Sequence, residues 1–519
     1  MRCALIHPPL GDPSCPPLGL AYLAAALTEA GIDHAIADLN LDFIAYLSDE
    51  KAPVLASACH SSSAYLEASR KFHADFAARN TPDQPLGYEP FAITLPGAAG
   101  DLAAMRSAAC DPNGHLDRWL HQSAVVQGLT AARPDWVGIS VSFMGQLPAT
   151  FAIANYCRLH LQTSVILGGG LMNDFAAHLN LAAPPWRDID GVILGAGEAL
   201  VARLTRRPDG RIAPPIHRVD FPGNRWSARD PNETAPPFPD FSRFPLERYR
   251  APGRVLPFRV FPACTWGRCA FCADAKYRCH TVTAGGRIPS VTRQIMRLAE
   301  GYDAQGIYFL DAELPGSFLV EFAASIKNAS AAPPRWGGNA RFSARLAEPG
   351  TAEALYAAGC RLLRFGLESG SPRLLQQMAK GITPRLAAKV LHAVHQAGIA
   401  THVYLMKGFP GETEADWQLT LAFLHDHAAC IDMFNISSFQ LYSDSPLAKA
   451  LGTAVETTAD ENHWTHPLIR GYSQDLEADR QLFQRIERDF FTGKPSTRCF
   501  GSTADTLLLA GRFGLSFFQ

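Results

Sequence analysis

At 519 residues the chain is longer than one hydrophobic core usually organises, so two or three domains are expected. A composition of 47% hydrophobic and 18% charged residues excludes wholesale disorder. The 47 basic and 49 acidic side chains leave a net charge of −2, which gives no global footprint for nucleic acid or for an anionic membrane. No apolar run reaches the ~18 residues of a spanning helix. The N-terminal MRCALIHPPL meets Pro8-Pro9 too early to hold the apolar core of a secretory signal, so a cytoplasmic protein is expected.

The first 200 or so residues alternate strand and helix signals. Residues 2–7 form a short apolar run that ends in a Pro-rich loop. Residues 18–30 have helical spacing and stop at Gly31, a suitable helix-ending glycine. A second strand is predicted over 34–38. Residues 41–130 look partly helical but break the rhythm with TPDQPLGYEP and LPGAAGD, and read as an insertion. The alternation resumes with a strand at 135–141, a helix over 147–160 and a strand at 164–167 that ends in Gly168-Gly169-Gly170. A further strand at 191–194 ends in Gly195-Ala196-Gly197-Glu198. This pattern implies a doubly wound α/β domain over 1–204 with a parallel sheet, whose ligands bind at the carboxyl ends of the strands.

Residues 205–257, rich in Pro and Arg around PPFPDFSRFP, read as a packed linker. Strand signals then recur at 259–263, 306–310, 335–340, 361–367, 402–406 and 433–440, with helices at 289–301, 317–328, 349–358, 384–397 and 414–427. Six βα units in a domain over 258–445 suggest a partial (β/α)6 barrel. The C-terminal region, 446–519, is mixed in character.

Eight of the twelve cysteines are dispersed and suit burial as small apolar residues. The other four fall between 264 and 279. Cys264, Cys269 and Cys272 stand within nine residues, so one loop can bring three thiolates to one centre. Soft thiolates select zinc or iron–sulfur clusters. A structural zinc site would close with a fourth ligand, for which Cys279 and His280 are the candidates. A [4Fe–4S] cluster would need only the three and leave one iron open. Trp266 and Phe271 supply bulk that could shield such a cluster.

This loop, with an aromatic residue before its last cysteine, resembles the signature of the radical SAM superfamily. The usual spacing there is three residues and then two, whereas here it is four and then two; Gly267 is expected to absorb the extra residue. The order of the later strand ends, over about 255–445, is similar to that of the family. The resemblance implies that Phe271, Asp311, Glu313, Arg341, Glu368, Ser369 and Gly408 contact S-adenosylmethionine (SAM), the acidic pair meeting its ammonium and Arg341 its carboxylate. It further implies that the open iron chelates SAM and that one electron cleaves it to methionine and a 5′-deoxyadenosyl radical.

His7-Pro8-Pro9, Pro16-Pro17-Leu18-Gly19-Leu20 and the two glycine-rich strand ends resemble the cobalamin-binding domain fused to many radical SAM enzymes. The matching positions are Ser140, Ser142, Gly168, Gly169 and Gly197, where small residues let the backbone approach a large planar ligand. The Asp-x-His-x-x-Gly motif of other cobalamin proteins is missing, His7 reads as structural, and no histidine ligand to cobalt is expected. The resemblance implies methyl transfer to an unactivated carbon of a small-molecule or peptide substrate. An external electron donor such as flavodoxin or ferredoxin is implied as partner, and neither nucleic acid nor membrane. Radical rearrangement, oxidation or cyclisation is the alternative chemistry, and a corrinoid- or zinc-binding protein without enzymatic activity the other.

Overall fold

Runs such as CALI, WVGIS and SVILG are apolar on both faces, which suits strands covered by helices on each side of a parallel sheet. The computed structural model describes residues 1–48, 102–273 and 284–451, short stretches within them excepted, and the backbone of 87–89 and 92–94. The chain divides between residues 250 and 251 into two compact units.

In the first unit β1 (Arg2–His7), β2 (Asp33–Asp38), β3 (Trp136–Ser140), β4 (Ser164–Gly168) and β5 (Gly191–Leu194) pair in the order β2-β1-β3-β4-β5, all parallel. This is the flavodoxin-like doubly wound order, with its switch point between β1 and β3. Helix α1 (Leu18–Glu29) follows β1 and α2 (Leu39–Ser48) follows β2. Ile6, Val137, Ile139, Val165, Leu167 and Val192 form the middle of the core.

Two expectations need correction here. The stretch 41–130 is not wholly an insertion, because helices α3 (Leu102–Ala109), α4 (His115–Gln122) and α5 (Ala124–Ala132) bury Leu102, Trp119, Leu120, Val126 and Leu129 in that same core. Trp119 packs edge-on against Phe43, 4.8 Å between centroids, and its Nε1 donates to Asp42 at 2.8 Å. Helix α6 (Leu147–Tyr156) follows β3, and most of 49–101 lies outside the described residues. The expected linker 205–257 carries two more strands of this sheet: β6 (Arg218–Phe221) is antiparallel to β7 (Arg225–Arg229), and β7 runs parallel to β5. Trp226 of β7 lies over Gly191, where an added Cβ would come within 2.7 Å of the indole. The aromatic part of the segment also packs on this unit, Tyr249 donating its hydroxyl to Asp38 at 2.6 Å.

In the second unit β8 (Val255–Phe258), β9 (Gly306–Leu314), β10 (Arg335–Ala340), β11 (Cys360–Glu368), β12 (Ala400–Lys407) and β13 (Met433–Ser438) lie in chain order, all parallel, with β8 and β13 at the edges among the described residues. A sequential parallel sheet of this kind is the partial (β/α)6 barrel the sequence suggests. Its connecting helices include α7 (Ala284–Tyr302), α8 (Gly316–Ala329), α9 (Thr351–Ala357), α10 (Pro372–Gln377), α11 (Pro384–Gln396) and α12 (Glu414–His427). Phe309 of β9 meets Phe318 and Phe322 of α8 and Trp336 of β10 edge-on, at 5.5–6.3 Å. The first strand is four residues earlier than predicted, and 259–263 is loop. Pro257 is tolerated because β8 is an edge strand. No helix among the described residues is long and apolar enough to cross a membrane. Beyond Leu451 the C-terminal region lies outside the described residues.

Candidate cofactor sites at the strand ends

The cysteine loop starts six residues after β8, and its entry is held by a buried carboxyl group. Asp311, with no exposed surface, accepts the backbone N–H of Val260 at 3.1 Å and of Phe261 at 2.6 Å. Burial pushes its pKa up to about 7, against the pull of these two amides. Two residues on, on the same face of β9, Glu313 accepts the amide of Thr265 at 3.2 Å and its hydroxyl, and takes a longer bond from the Cys264 thiol at 3.8 Å. Both acids were expected to meet a ligand's ammonium. In the structure their oxygens fasten the loop, and Asp311 is closed off by it.

The backbone N–H groups of Trp266 and Gly267 point at the Cys264 sulfur. Gly267 has φ +54°, so the extra residue of the first spacer is absorbed in a left-handed turn that favours glycine. Burial pushes the Cys264 and Cys269 thiols up, while Lys380 and Arg341 draw Cys269 back down. Cys272 follows in a turn, its amide donating to the Cys269 carbonyl at 3.2 Å. Phe271 packs on the apolar group of Leu374, Met378, Phe409 and Phe439.

A second segment, at 378–381 after α10, docks on this loop, and sequence reasoning missed it. Ala270 N–H donates to the Met378 carbonyl at 2.9 Å, and Trp266 Nε1 donates to the Ala379 carbonyl at 3.0 Å. Lys380 forms an ion pair with Glu368 at 2.6 Å, and its ammonium lies 5.7 Å from the Phe271 ring centroid. Burial draws the Lys380 pKa down, but Glu368 and Cys269 together hold it above the ordinary lysine value. Arg341 stacks on Trp266, 3.8 Å from the ring centroid, and donates to the Lys380 carbonyl. Glu368 ends β11 with φ +67°, a strained backbone for a side-chain-bearing residue. Gly408, with φ +86°, donates its amide to Glu412. Ser369 is turned inward, its hydroxyl meeting Thr420 Oγ1 at 3.1 Å and accepting from Ser371 N–H.

Three soft thiols, two N–H groups aimed at one sulfur, and two nearby cations fit an anionic iron–sulfur cluster. Among the described residues no three His, Cys, Asp or Glu side chains converge on a single ion. Ligands of three different irons stand farther apart than ligands of one. Cys279 and His280, the candidates for closing a zinc site, lie outside the described residues.

In the first unit the strand ends are built from backbone and carboxamides. Gly169 has φ +101°, and an added Cβ would fall 2.7 Å from the Val141 nitrogen. Gly168 and Gly197 are looser, an added Cβ meeting its first neighbour at 3.7 and 3.4 Å. Ser140 is half-buried, while Ser142 and Phe143 are exposed at the end of β3. Two buried amides that sequence reasoning missed brace these loops. Asn40 bonds Gly11 at both N–H and C=O, at 2.9 and 3.0 Å. Gln146 accepts from Ser142 N–H at 2.8 Å and donates to the Pro8 carbonyl at 2.8 Å. His7 is buried against Gly11, and burial lowers its pKa, so it is a neutral internal residue. The shelf of small residues suits a broad planar ligand.

Residues 258–424 match the family model of the Radical SAM superfamily. A protein of Pyrococcus horikoshii named as an uncharacterized methyltransferase is 25% identical over 307 residues, covering 56% of this chain and 64% of that one. The tRNA-2-methylthio-N(6)-dimethylallyladenosine synthase of Desulfosudis oleivorans is 30% identical over 159 residues, 30% of this chain and 33% of that one. The chain thus spans less than two thirds of the length of either curated relative. Among solved structures, the radical SAM methyltransferase TsrM of Kitasatospora setae, with cobalamin and a [4Fe–4S] cluster bound, matches with a TM-score of 0.50 at 16% identity over 86% of this chain and 76% of that one. The cobalamin-dependent SAM radical enzyme OxsB, with aqua-cobalamin and SAM bound, matches with a TM-score of 0.56 at 13% identity over 94% and 67%.

Proposed function

We propose that this chain, whose residues 258–424 form a radical SAM domain, is a cobalamin-dependent enzyme that transfers a methyl group to an unactivated carbon of a small-molecule or peptide substrate. The observation that carries the reading is the thiol loop at the carboxyl ends of β8 and β9, set between the carboxylates of β9 and the cations Arg341 and Lys380. When bound, a [4Fe–4S] cluster would supply the electron that cleaves SAM to a 5′-deoxyadenosyl radical, and a corrin would carry the methyl group.

The residues themselves bind and orient. Cys264, Cys269 and Cys272 would hold the cluster. Asp311 and Glu313 fix the loop so that the three thiols keep one spacing. Arg341 and Lys380 offset the thiolate charge and offer donors to a carboxylate. Glu368 and Gly408 stand at the strand ends around them, and Phe271, packed on Leu374 and Met378, would keep water from the loop. In the first unit Ser140, Ser142, Gly168, Gly169 and Gly197 would form the floor for the corrin, with Asn40 and Gln146 holding its rim. The absence of a histidine at the motif spacing fits a corrin bound without a protein imidazole. An external one-electron donor such as flavodoxin or ferredoxin would serve the cluster. A reducing cytoplasm suits the nine free cysteines of the described residues.

Anaerobic reconstitution tests the reading. The chain should take up iron and acid-labile sulfide, retain a corrinoid through gel filtration, and release 5′-deoxyadenosine from SAM with dithionite. SAM with a labelled methyl group should label reduced cobalamin. Zinc without sulfide would sink the proposal. A second reading, radical rearrangement, oxidation or cyclisation, is favoured by the likeness to OxsB, a cobalamin-dependent S-adenosylmethionine radical enzyme. Deoxyadenosine release without methyl labelling of the corrinoid would select it.

A further inference from the structure

We infer that Trp266 is a positioning residue: its indole, seated in a slot lined by Arg341 and Gly381, sets the sulfur environment of the cysteine loop. The inference rests on the proposal that this loop holds an iron–sulfur cluster.

The slot has four sides. Arg341 lies over the ring at 3.8 Å from the centroid, and Arg268 lies farther off at 5.1 Å. Gly381, at φ +66°, lies against the far edge of the ring, beside Arg341. A Cβ added there would overlap the far edge of the indole and stand 2.9 Å from Arg341 Nη2, so only glycine leaves room for the ring. The Nε1–H is fixed by the Ala379 carbonyl at 3.0 Å. Ala379 itself has φ +50°, so the docking segment holds two residues in the left-handed region to present this side of the slot.

The consequence reaches two thiols. The Trp266 and Gly267 amides bond the Cys264 sulfur, and Trp266 carries the indole whose Nε1–H is tied to Ala379. Arg341, stacked on the same ring, contacts the Cys269 side chain. Hydrogen bonds and cations at ligand sulfurs favour the reduced, more negative cluster. One aromatic ring therefore fixes donors at both ends of the four-residue spacer. The longer spacer gains a place for Trp266, and the left-handed turn at Gly267 follows it directly.

The test uses the full chain, reconstituted anaerobically with iron and sulfide. Iron and sulfide are read after chelator challenge, and the midpoint potential from absorbance. W266A should hold its iron roughly 10-fold less tightly, the range in which outer partners act, and should reduce at a lower potential. W266F keeps the stacked ring without the Nε1 donor and should fall between. G381A should reproduce W266A, and the double variant should be no worse than W266A alone, since the slot is then already empty. Wild-type iron retention and potential in W266A would overturn the inference, as would additive effects of the two substitutions. Circular dichroism checks folding; should W266A unfold, G381A and W266F decide, and a wild-type potential in both overturns it. A wild-type chain that takes up zinc and no sulfide brings down the radical reading and this inference with it, whereas normal sulfide uptake with unmoved variants fails the Trp266 role alone.

Discussion

The two strand-end sites are built from opposite materials. Around the cysteine loop the fold places Asp311, Glu313, Glu368, Arg341 and Lys380, mostly buried and each tied to a partner. At the ends of β1, β3 and β4 it places glycines, serines and two buried carboxamides, Asn40 and Gln146. A small, highly charged ligand needs charges fixed around it, because a buried charge without partners is costly. A broad planar ligand needs the reverse, side chains removed so that backbone can come close, with neutral donors holding the loops. On the proposed function, the same kind of strand end would serve two ligands by exchanging electrostatics for clearance.

The largest effect should come from the thiols. C264A, C269A or C272A should each abolish cluster iron and SAM cleavage, while C279A should retain both. Iron and sulfide analysis with a deoxyadenosine assay reads this. Metal loss in C279A alongside retention in C264A would mean the ligand set is wrong.

The next effect is a pH dependence of the charged site. The Asp311 pKa is raised to about 7 in the folded chain by burial. In the unfolded chain a free Asp titrates near ~3.9. Between about pH 4 and pH 7 the folded state therefore holds a proton that the unfolded state has released, and stability falls as pH rises. The contribution is complete below the unfolded value and lost above the folded one. At 1.36 kcal/mol per pH unit the loss is at most about 4 kcal/mol. D311N keeps an oxygen for the Val260 and Phe261 amides and removes the titration. Melting the metal-free chain at pH 5 and pH 8 should show a smaller drop in the variant. An unchanged drop would mean that Asp311 is not the titrating group.

The third prediction probes the neutral site. G169A forces a Cβ onto Val141 at a φ of +101°. Strain and overlap together should destabilise the chain by roughly 2–3 kcal/mol. Corrinoid retention should fall while cluster iron stays at the wild-type level. Loss of both together would mean that the two sites do not answer separately to the two kinds of construction.

Much of this was legible in the sequence, for physical reasons that differ by element. The cysteine spacing and the glycine-ended strands are local signals, since loop ligands and close backbone approach need neighbours in sequence. The flavodoxin-like order and the six sequential strands follow from alternating strand and helix patterns. The clamps were not legible. Asp311 meets Val260 and Phe261 from about fifty residues away, and Lys380 meets Glu368 across a helix, so neither partnership leaves a local mark. The helical character of 102–132 was legible, but its place in the core was hidden by the Pro- and Gly-rich stretch before it, although Trp119 and Leu120 already carried a buried face. The first barrel strand slipped because RVFPA looks extended, while its amides turn to Asp311 instead of to the sheet.

The smallest predicted effect asks whether the charged construction extends beyond the cysteine loop. Helix α12 starts with a reciprocal cap: Thr413 Oγ1 accepts Asp416 N–H at 3.3 Å, and Asp416 accepts Thr413 N–H at 3.0 Å. Asp416 also accepts Ser371 Oγ–H at 2.6 Å, which ties the end of β11 to the start of α12. The Arg373 guanidinium, bonded to the same carboxylate, is the main reason its pKa lies well below the ordinary carboxylate value. T413A removes one arm of the cap and should cost about 1 kcal/mol. If Asp416 acts as a hub, S371A combined with T413A should cost more than the sum of the two, because the carboxylate then loses two donors at once. Additive losses by chemical denaturation would reduce Asp416 to an ordinary helix cap and confine the charged scaffold to the loop that carries the thiols.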